Sequence, residues 1–102
     1  MGDNPFDHGE IDDIIHGRLR LGVMAYLSTA GSAVFGELKD KVGATDGNLS
    51  THLRKLEDAG YVRMEKAFVG KRPRTTVHLT GVGRSAWMAW IGQMQAIIRA
   101  AE

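Results

Sequence analysis

Residues 46–62 read "DGNLSTHLRKLEDAGYV", and the informative side chains are Asn48, Ser50, Thr51, Arg54 and Lys55: short hydrogen-bonding groups, then two cations. An ordinary solvent face would alternate Glu with Lys at four-residue spacing. This one is suited to recognition, by hydrogen bonds and charge neutralisation, rather than to bond-making. Catalytic arrangements fail on spacing. Ser50 and His52 are two residues apart and would diverge on a helix, as would the adjacent Asp12 and Asp13. No GxSxG elbow occurs, and "GVGRSA" (81–86) lacks the Lys-Ser/Thr ending of a phosphate loop. His8, Asp12 and His16 would share a face of a continuous helix and suit zinc, but Pro5 and Gly9 disfavour helix there and no further ligand is at hand. His78 alternates outward on its strand. No enzyme, metal or cofactor is expected.

The net charge of +1 conceals a segregation. The first sixteen residues hold five acids and no Lys or Arg, whereas residues 54–74 hold seven bases against three acids. A local basic patch on a nearly neutral chain points to an anionic partner for that region. The absence of cysteine removes disulfide and thiolate chemistry and suits a reducing compartment, so a cytoplasmic location is expected. The acidic start is unlike a signal peptide, and the apolar stretch 86–101 is interrupted by Gln93, Gln95 and Arg99, too short and polar to span a bilayer.

The elements that would carry these residues follow from periodicity. Apolar residues at 11, 14, 15, 19, 23, 26 and 27 predict a first helix over 11–27, broken by "STAGS" at 28–32. A short second helix is predicted over 34–41, with Phe35 and Leu38 inward and Gly43 as its cap. Thr45 is placed to cap a third helix and Asp46 to favour its dipole. Asp46-Gly47 is also a hairpin signal, but a helical pattern follows it directly. This helix ends at Ala59-Gly60. Residues 61–68 alternate as a strand, with Val62 and Met64 on one face and Arg63 and Glu65 on the other. "VGKRPR" (69–74) reads as a basic turn, 75–79 as the return strand, and Thr80 as the cap of a last helix to about residue 100. The expected fold is mainly α with a small β-hairpin (α+β), a winged helix-turn-helix of order α-α-α-β-wing-β-α. Residues 1–10 form an acidic arm and 11–102 a single domain ending in a dimerisation helix.

On this arrangement Leu49, Leu53 and Leu56 anchor the third helix and leave Asn48, Ser50, Thr51 and Arg54 outward. Asn reads adenine, Arg reads guanine, and Ser or Thr meets bases or phosphates in a major groove. Gly47 lets the backbone approach. Arg63, Lys66, Lys71, Arg72 and Arg74 form a positive arm alongside, stiffened by Pro73, that would neutralise phosphates or sense a narrow minor groove. Double-stranded DNA is the expected partner, because the deep, narrow major groove of RNA would exclude such a helix.

"GNLSTHLRKLEDAGYV" followed by "FVGKRPRTTVHLTGVGRSAW" resembles the winged-helix transcriptional regulators of the MarR/ArsR type, and especially the short bacterial members that are little more than one winged helix. The similarity covers about residues 15–95. It implies a homodimer, the third helix in the major groove and the wing on the backbone or in the minor groove. By position it carries DNA contact onto Asn48, Ser50, Thr51, Arg54, Lys55, Lys71, Arg72 and Arg74, with His52 either at the groove edge or packed sideways. It also implies a repressor that occludes a promoter, and small-molecule effectors held between the helix-turn-helix and the dimer interface. Tyr26, Trp87 and Trp90 would line such a pocket or be core, and core is expected.

Independently, Trp87, Trp90, Ile91, Met94, Ile97 and Ile98 make an apolar stripe along the last helix. Trp87 and Ile91 suit the core. The distal set Trp90, Met94, Ile97 and Ile98 is expected to pair with a second protomer, against its first helix around Ile11, Ile14 and Ile15. The rival reading is a winged helix that docks proteins rather than DNA. Such a module has no need of a cationic wing tip.

Overall fold

Leu49, Leu53 and Leu56 are fully buried, and the rest of the fold is arranged around them. In the computed structural model, which describes residues 4–102 apart from the Glu10 side chain, the elements run α1 (Arg18–Ala30), β1 (Ser32–Val34), α2 (Phe35–Val42), α3 (Asp46–Asp58), β2 (Val62–Val69), β3 (Arg72–Leu79) and α4 (Gly81–Ala101). Val23, Met24 and Leu27 of α1, Leu38 of α2, Ala33 of β1 and Val62 and Val77 of the hairpin close the core over the three leucines. This is the α+β winged helix-turn-helix that the periodicity predicts, with one strand more. Of the expected acidic arm, residues 1–3 and the Glu10 side chain lie outside the described residues.

The extra strand is β1. Its three residues pair antiparallel with β3 (Ser32 with His78, Ala33 with Val77, Val34 with Thr76), giving a three-stranded sheet of order β1-β3-β2. Val34, expected to begin the second helix, therefore belongs to a strand, and α2 starts at Phe35.

The first helix is also shorter than its apolar spacing suggests, starting at Arg18 rather than at residue 11. Gly17 is the break: it is extended (φ 171, ψ 140) and stands outside α1 as its N-cap. Before it, Asp12 caps a separate single turn, its Oδ1 accepting the N–H groups of Ile14 (2.8 Å) and Ile15 (3.3 Å) and its carbonyl the His16 N–H (2.9 Å), while its Oδ2 accepts the Tyr61 hydroxyl at 2.6 Å. Burial, then the Asp12 contact, push the Tyr61 hydroxyl up to about 12. The segment 11–17 is thereby tied to the end of α3, and Ile15 becomes fully buried. This corrects its expected place in a dimer interface: within its own chain Ile15 is a core residue, with no surface left for a partner. His8, Asp12 and His16 share no helix face, because His8 sits in a separate 3-10 turn, His8–Glu10.

The junction of hairpin and last helix rests on close backbone packing. Thr80 Oγ1 donates to Gly60 O (2.6 Å) and accepts the Gly83 N–H (2.9 Å), capping α4, while the Thr80 N–H donates to Tyr61 O (3.1 Å). Gly83 is buried, and a Cβ there would lie 2.1 Å from Tyr61 O. Along α4, Trp87 and Trp90 stack at 5.5 Å and pack on the core, as does Tyr26 of α1. Among the described residues, Ile91, Met94, Ile97 and Ile98 are not among the hydrophobic side chains packed against that core, and Ile98 is 59% exposed.

Gly83→Ala is expected to lower unfolding stability by about 1–3 kcal/mol through this clash. Gly92→Ala, in open space on the same helix, should be neutral or stabilising by up to about 1 kcal/mol. Denaturant titration of the two variants checks the contrast.

Candidate nucleic-acid interface

The site begins with how α3 is started. Thr45 Oγ1 accepts the Asn48 N–H at 3.2 Å, and Lys39 of α2 pairs with Asp46 at 3.0 Å across the turn between the two helices. The hydrogen bond and charge of Asp46 raise the Lys39 pKa. At the other end, Tyr61 N–H returns to Leu56 O at 2.9 Å. With the three leucines inward, Asn48, Ser50, Thr51, Arg54 and Lys55 are all exposed. Thr51 donates its hydroxyl to Gly47 O at 3.0 Å, so its side chain offers a lone pair and a methyl group rather than a donor.

Two clefts flank this face. On one side Ser50, Arg54 and Glu57 face Phe35, Met64, Lys66 and Thr75, between α3 and the sheet. On the other, Asn48 and His52 border the start of α1 (Gly17, Arg18, Arg20) and the turn after α2. His52, undecided from sequence, lies at this second edge: its Nδ1 is 2.9 Å from Arg20 Nη1. A guanidinium can only donate, so Nδ1 accepts, and the neutral ring carries its proton on Nε2. Burial first, then the charges of Arg20 and Lys55, hold the His52 pKa below its ordinary value.

The wing is longer and its turn tighter than "VGKRPR" suggests. β2 and β3 pair continuously from Val62–Leu79 to Val69–Arg72, leaving only Gly70 and Lys71 as the turn. Gly70 takes φ +65, the left-handed value a two-residue hairpin turn requires at its first position. Pro73 is tolerated within β3 because β1 pairs no further than Thr76, so the strand has an open edge there.

The register divides the cations. Val62, Met64, Lys66 and Phe68 share one face of β2, opposite Leu79, Val77, Thr75 and Pro73 of β3. Lys66 is therefore on the side of α3. Arg63, Arg72 and Arg74 share the other face with Glu65 and His78, whose side chains meet at 2.9 Å. The hydrogen bond to His78, then its charge, lower the Glu65 pKa. Arg63 and Lys66, expected as one arm, are thus separated by the sheet. Strand alternation counted from Met64 carries that signal. Lys71, Arg72 and Arg74 are exposed at the tip, beside Phe68, which is 75% exposed. Among the described residues no three His, Asp or Glu side chains converge as a metal site, and no helix is long and apolar enough to cross a membrane.

Comparison with known proteins agrees with this geometry. Residues 19–98 match the family described as winged helix DNA-binding domain. An uncharacterized protein of Methanocaldococcus jannaschii is 36% identical over 78 residues, covering 76% of this chain and 85% of its own. The structure of a transcriptional regulator homologue from Pyrococcus horikoshii OT3 is 31% identical and superposes with a TM-score of 0.82, over 87% of this chain and 88% of that one. Both relatives are archaeal. A MarR-family transcriptional regulator from Silicibacter pomeroyi, 23% identical, shares the fold with a TM-score of 0.67 over 91% of this chain and 62% of its own.

The Arg20–His52 contact predicts a titration. The folded state favours neutral His52, so this group adds stability above its ordinary pKa of 6.5, and that contribution is lost as pH falls through the lower folded value. An NMR titration should give a His52 midpoint below 6.5 that moves up in Arg20→Gln. A midpoint at or above 6.5 in the unsubstituted protein would remove the contact.

Proposed function

The chain belongs to the winged helix DNA-binding domain family, and on that premise we propose that it is a homodimeric, sequence-specific regulator of transcription, with α3 in the major groove and the β2–β3 wing on the backbone or in the minor groove. One observation carries the reading. A helix locked by three buried leucines presents Asn48, Ser50, Thr51, Arg54 and Lys55 outward, with the exposed cations Lys71, Arg72 and Arg74 on the hairpin that follows it. Asn48 and Arg54 are the base readers. Thr51 meets a thymine methyl, and the wing cations neutralise phosphates, adding affinity without sequence information. Arg63, at the base of the hairpin and on its far face, takes at most a backbone role.

The dimer is the finer part of the proposal. It is supported by the distal half of α4, where Met94, Ile97 and Ile98 continue the apolar stripe beyond the core. Trp90, partly engaged with the core, forms the near edge of that stripe, and Ile11 and Ile14, both half-buried, are its counterparts on the partner. A two-fold dimer would read half-sites about 34–36 Å apart. Repression follows from steric occlusion of a promoter in the cytoplasm, with no chemical step. A small-molecule signal would act by changing the spacing of the two α3 helices.

Selection from a randomised duplex pool at near-physiological salt is expected to enrich a two-fold-symmetric motif. A monodisperse dimer that enriches nothing would favour the protein-docking reading. On the selected duplex, Asn48→Ala and Arg54→Ala should each relax preference at one defined position and cost about 1–3 kcal/mol. Equal loss on every sequence would reassign that residue to the backbone.

A further inference from the structure

Arg18 and Arg20 lie outside the basic segment 54–74, and the proposed base and wing contacts make no use of them. Arg18 is exposed, with no hydrogen bond or ion pair among the described residues. Arg20 is half-buried and held on three sides: Nε donates to Ile14 O (2.6 Å), Nη1 to His52 Nδ1 (2.9 Å) and Nη2 to Asp13 O (3.4 Å). Three of its five N–H donors are thereby used, which fixes the guanidinium plane and leaves two donors free. The same contact leaves the Nε2–H of His52 as a fixed donor. Asn48 stands four residues before His52, on the same side of α3. All four side chains border one cleft. Arg20 and Lys55 place positive charge near His52, whose pKa is lowered first by burial and then by those two charges. Of the nearby acids, Asp46 is paired with Lys39 and Asp12 accepts the Tyr61 hydroxyl, while the Asp13 side chain is exposed.

A helix in a major groove is bounded on both flanks by a sugar-phosphate strand. Lys66 and the wing stand on one flank of α3, and this cleft stands on the other. We propose that Arg18, Arg20 and His52, on the side of this cleft away from the base-reading Asn48, seat a backbone phosphate of the DNA strand on the α1 side of the groove, opposite the strand met by the wing. The inference rests on major-groove docking of α3. Arg18 and the His52 Nε2–H donate to the phosphate oxygens, and Arg20 is a positioning residue that sets the His52 proton and adds charge. A contact of this kind fixes register and strengthens binding to all duplexes alike.

The test is the salt dependence of binding to the selected duplex, for the unsubstituted protein, Arg18→Gln, His52→Ala and, as the wing reference, Arg72→Ala. Arg18 makes no bond that folding needs, so Arg18→Gln should stay folded. It is expected to flatten the slope of log K against log salt by about 0.9, equally on every duplex. A methylphosphonate at the phosphate concerned should weaken the unsubstituted protein and leave Arg18→Gln no weaker still. His52→Ala should lose affinity uniformly, without a change in base preference. An unchanged slope in Arg18→Gln beside a flattened one in Arg72→Ala would overturn the phosphate seat and leave the DNA reading intact. Loss at a single base position would overturn it in favour of base reading. Failure of the unsubstituted protein to bind any duplex would remove both.

Discussion

The rotation of α3 about its own axis is the constraint on which everything else depends. Leu49, Leu53 and Leu56 are each fully buried, and each burial is worth about 1.5–3 kcal/mol. Turning the helix by one residue, about 100°, would expose leucine and drive Ser50 or His52 into the core. The helix is pinned at its start by Thr45 and the Lys39–Asp46 pair, and at its end by the bond from Tyr61 to Leu56. The polar face therefore points outward by elimination. Because β2 begins four residues after α3 ends, the wing inherits its position from the same three leucines.

That constraint also explains why the surface divides by function. The proposed DNA-facing side is built from side chains that cost little to expose: short polar groups on α3, cations on the hairpin, and the Arg18–Arg20–His52 edge. The opposite investment lies along α4, where apolar residues continue past the last core contacts. The proposed pairing of two copies covers this stripe and sets the distance between two α3 helices. Gly83 links the two surfaces, since the first turn of α4 touches the Tyr61 backbone directly behind the end of α3.

Much of this was legible in the sequence, and the failures have physical causes. α3, β2 and α4 carry strong periodicity and matching caps and lie within a residue or two of their expected bounds, whereas β3 begins three residues earlier than expected because the hairpin pairs on through Pro73 to Arg72. β1 is not legible in the sequence, because the three residues "SAV" (32–34) are too few to show a period and the strand exists only through pairing with β3, more than forty residues away. α1 starts later than the spacing of Ile11, Ile14 and Ile15 suggests, because Asp12 caps only a single turn there and the extended Gly17 separates that turn from the helix. Ile15 consequently moved from a supposed interface into the core. Lys66 could have been separated from Arg63 by period-two counting alone. The Arg20–His52 contact could not, because residues 32 positions apart meet only once α1 and α3 have packed.

The central claim is that the outward face of α3 and the wing, rather than α4, meet double-stranded DNA. Amide chemical-shift mapping of the labelled protein against its selected duplex tests it most directly. The account predicts the largest shifts at Asp46–Lys55 and Gly70–Arg74, with the distal turns of α4 unmoved. Shifts concentrated on α4, or none on α3 at saturating duplex, would contradict it.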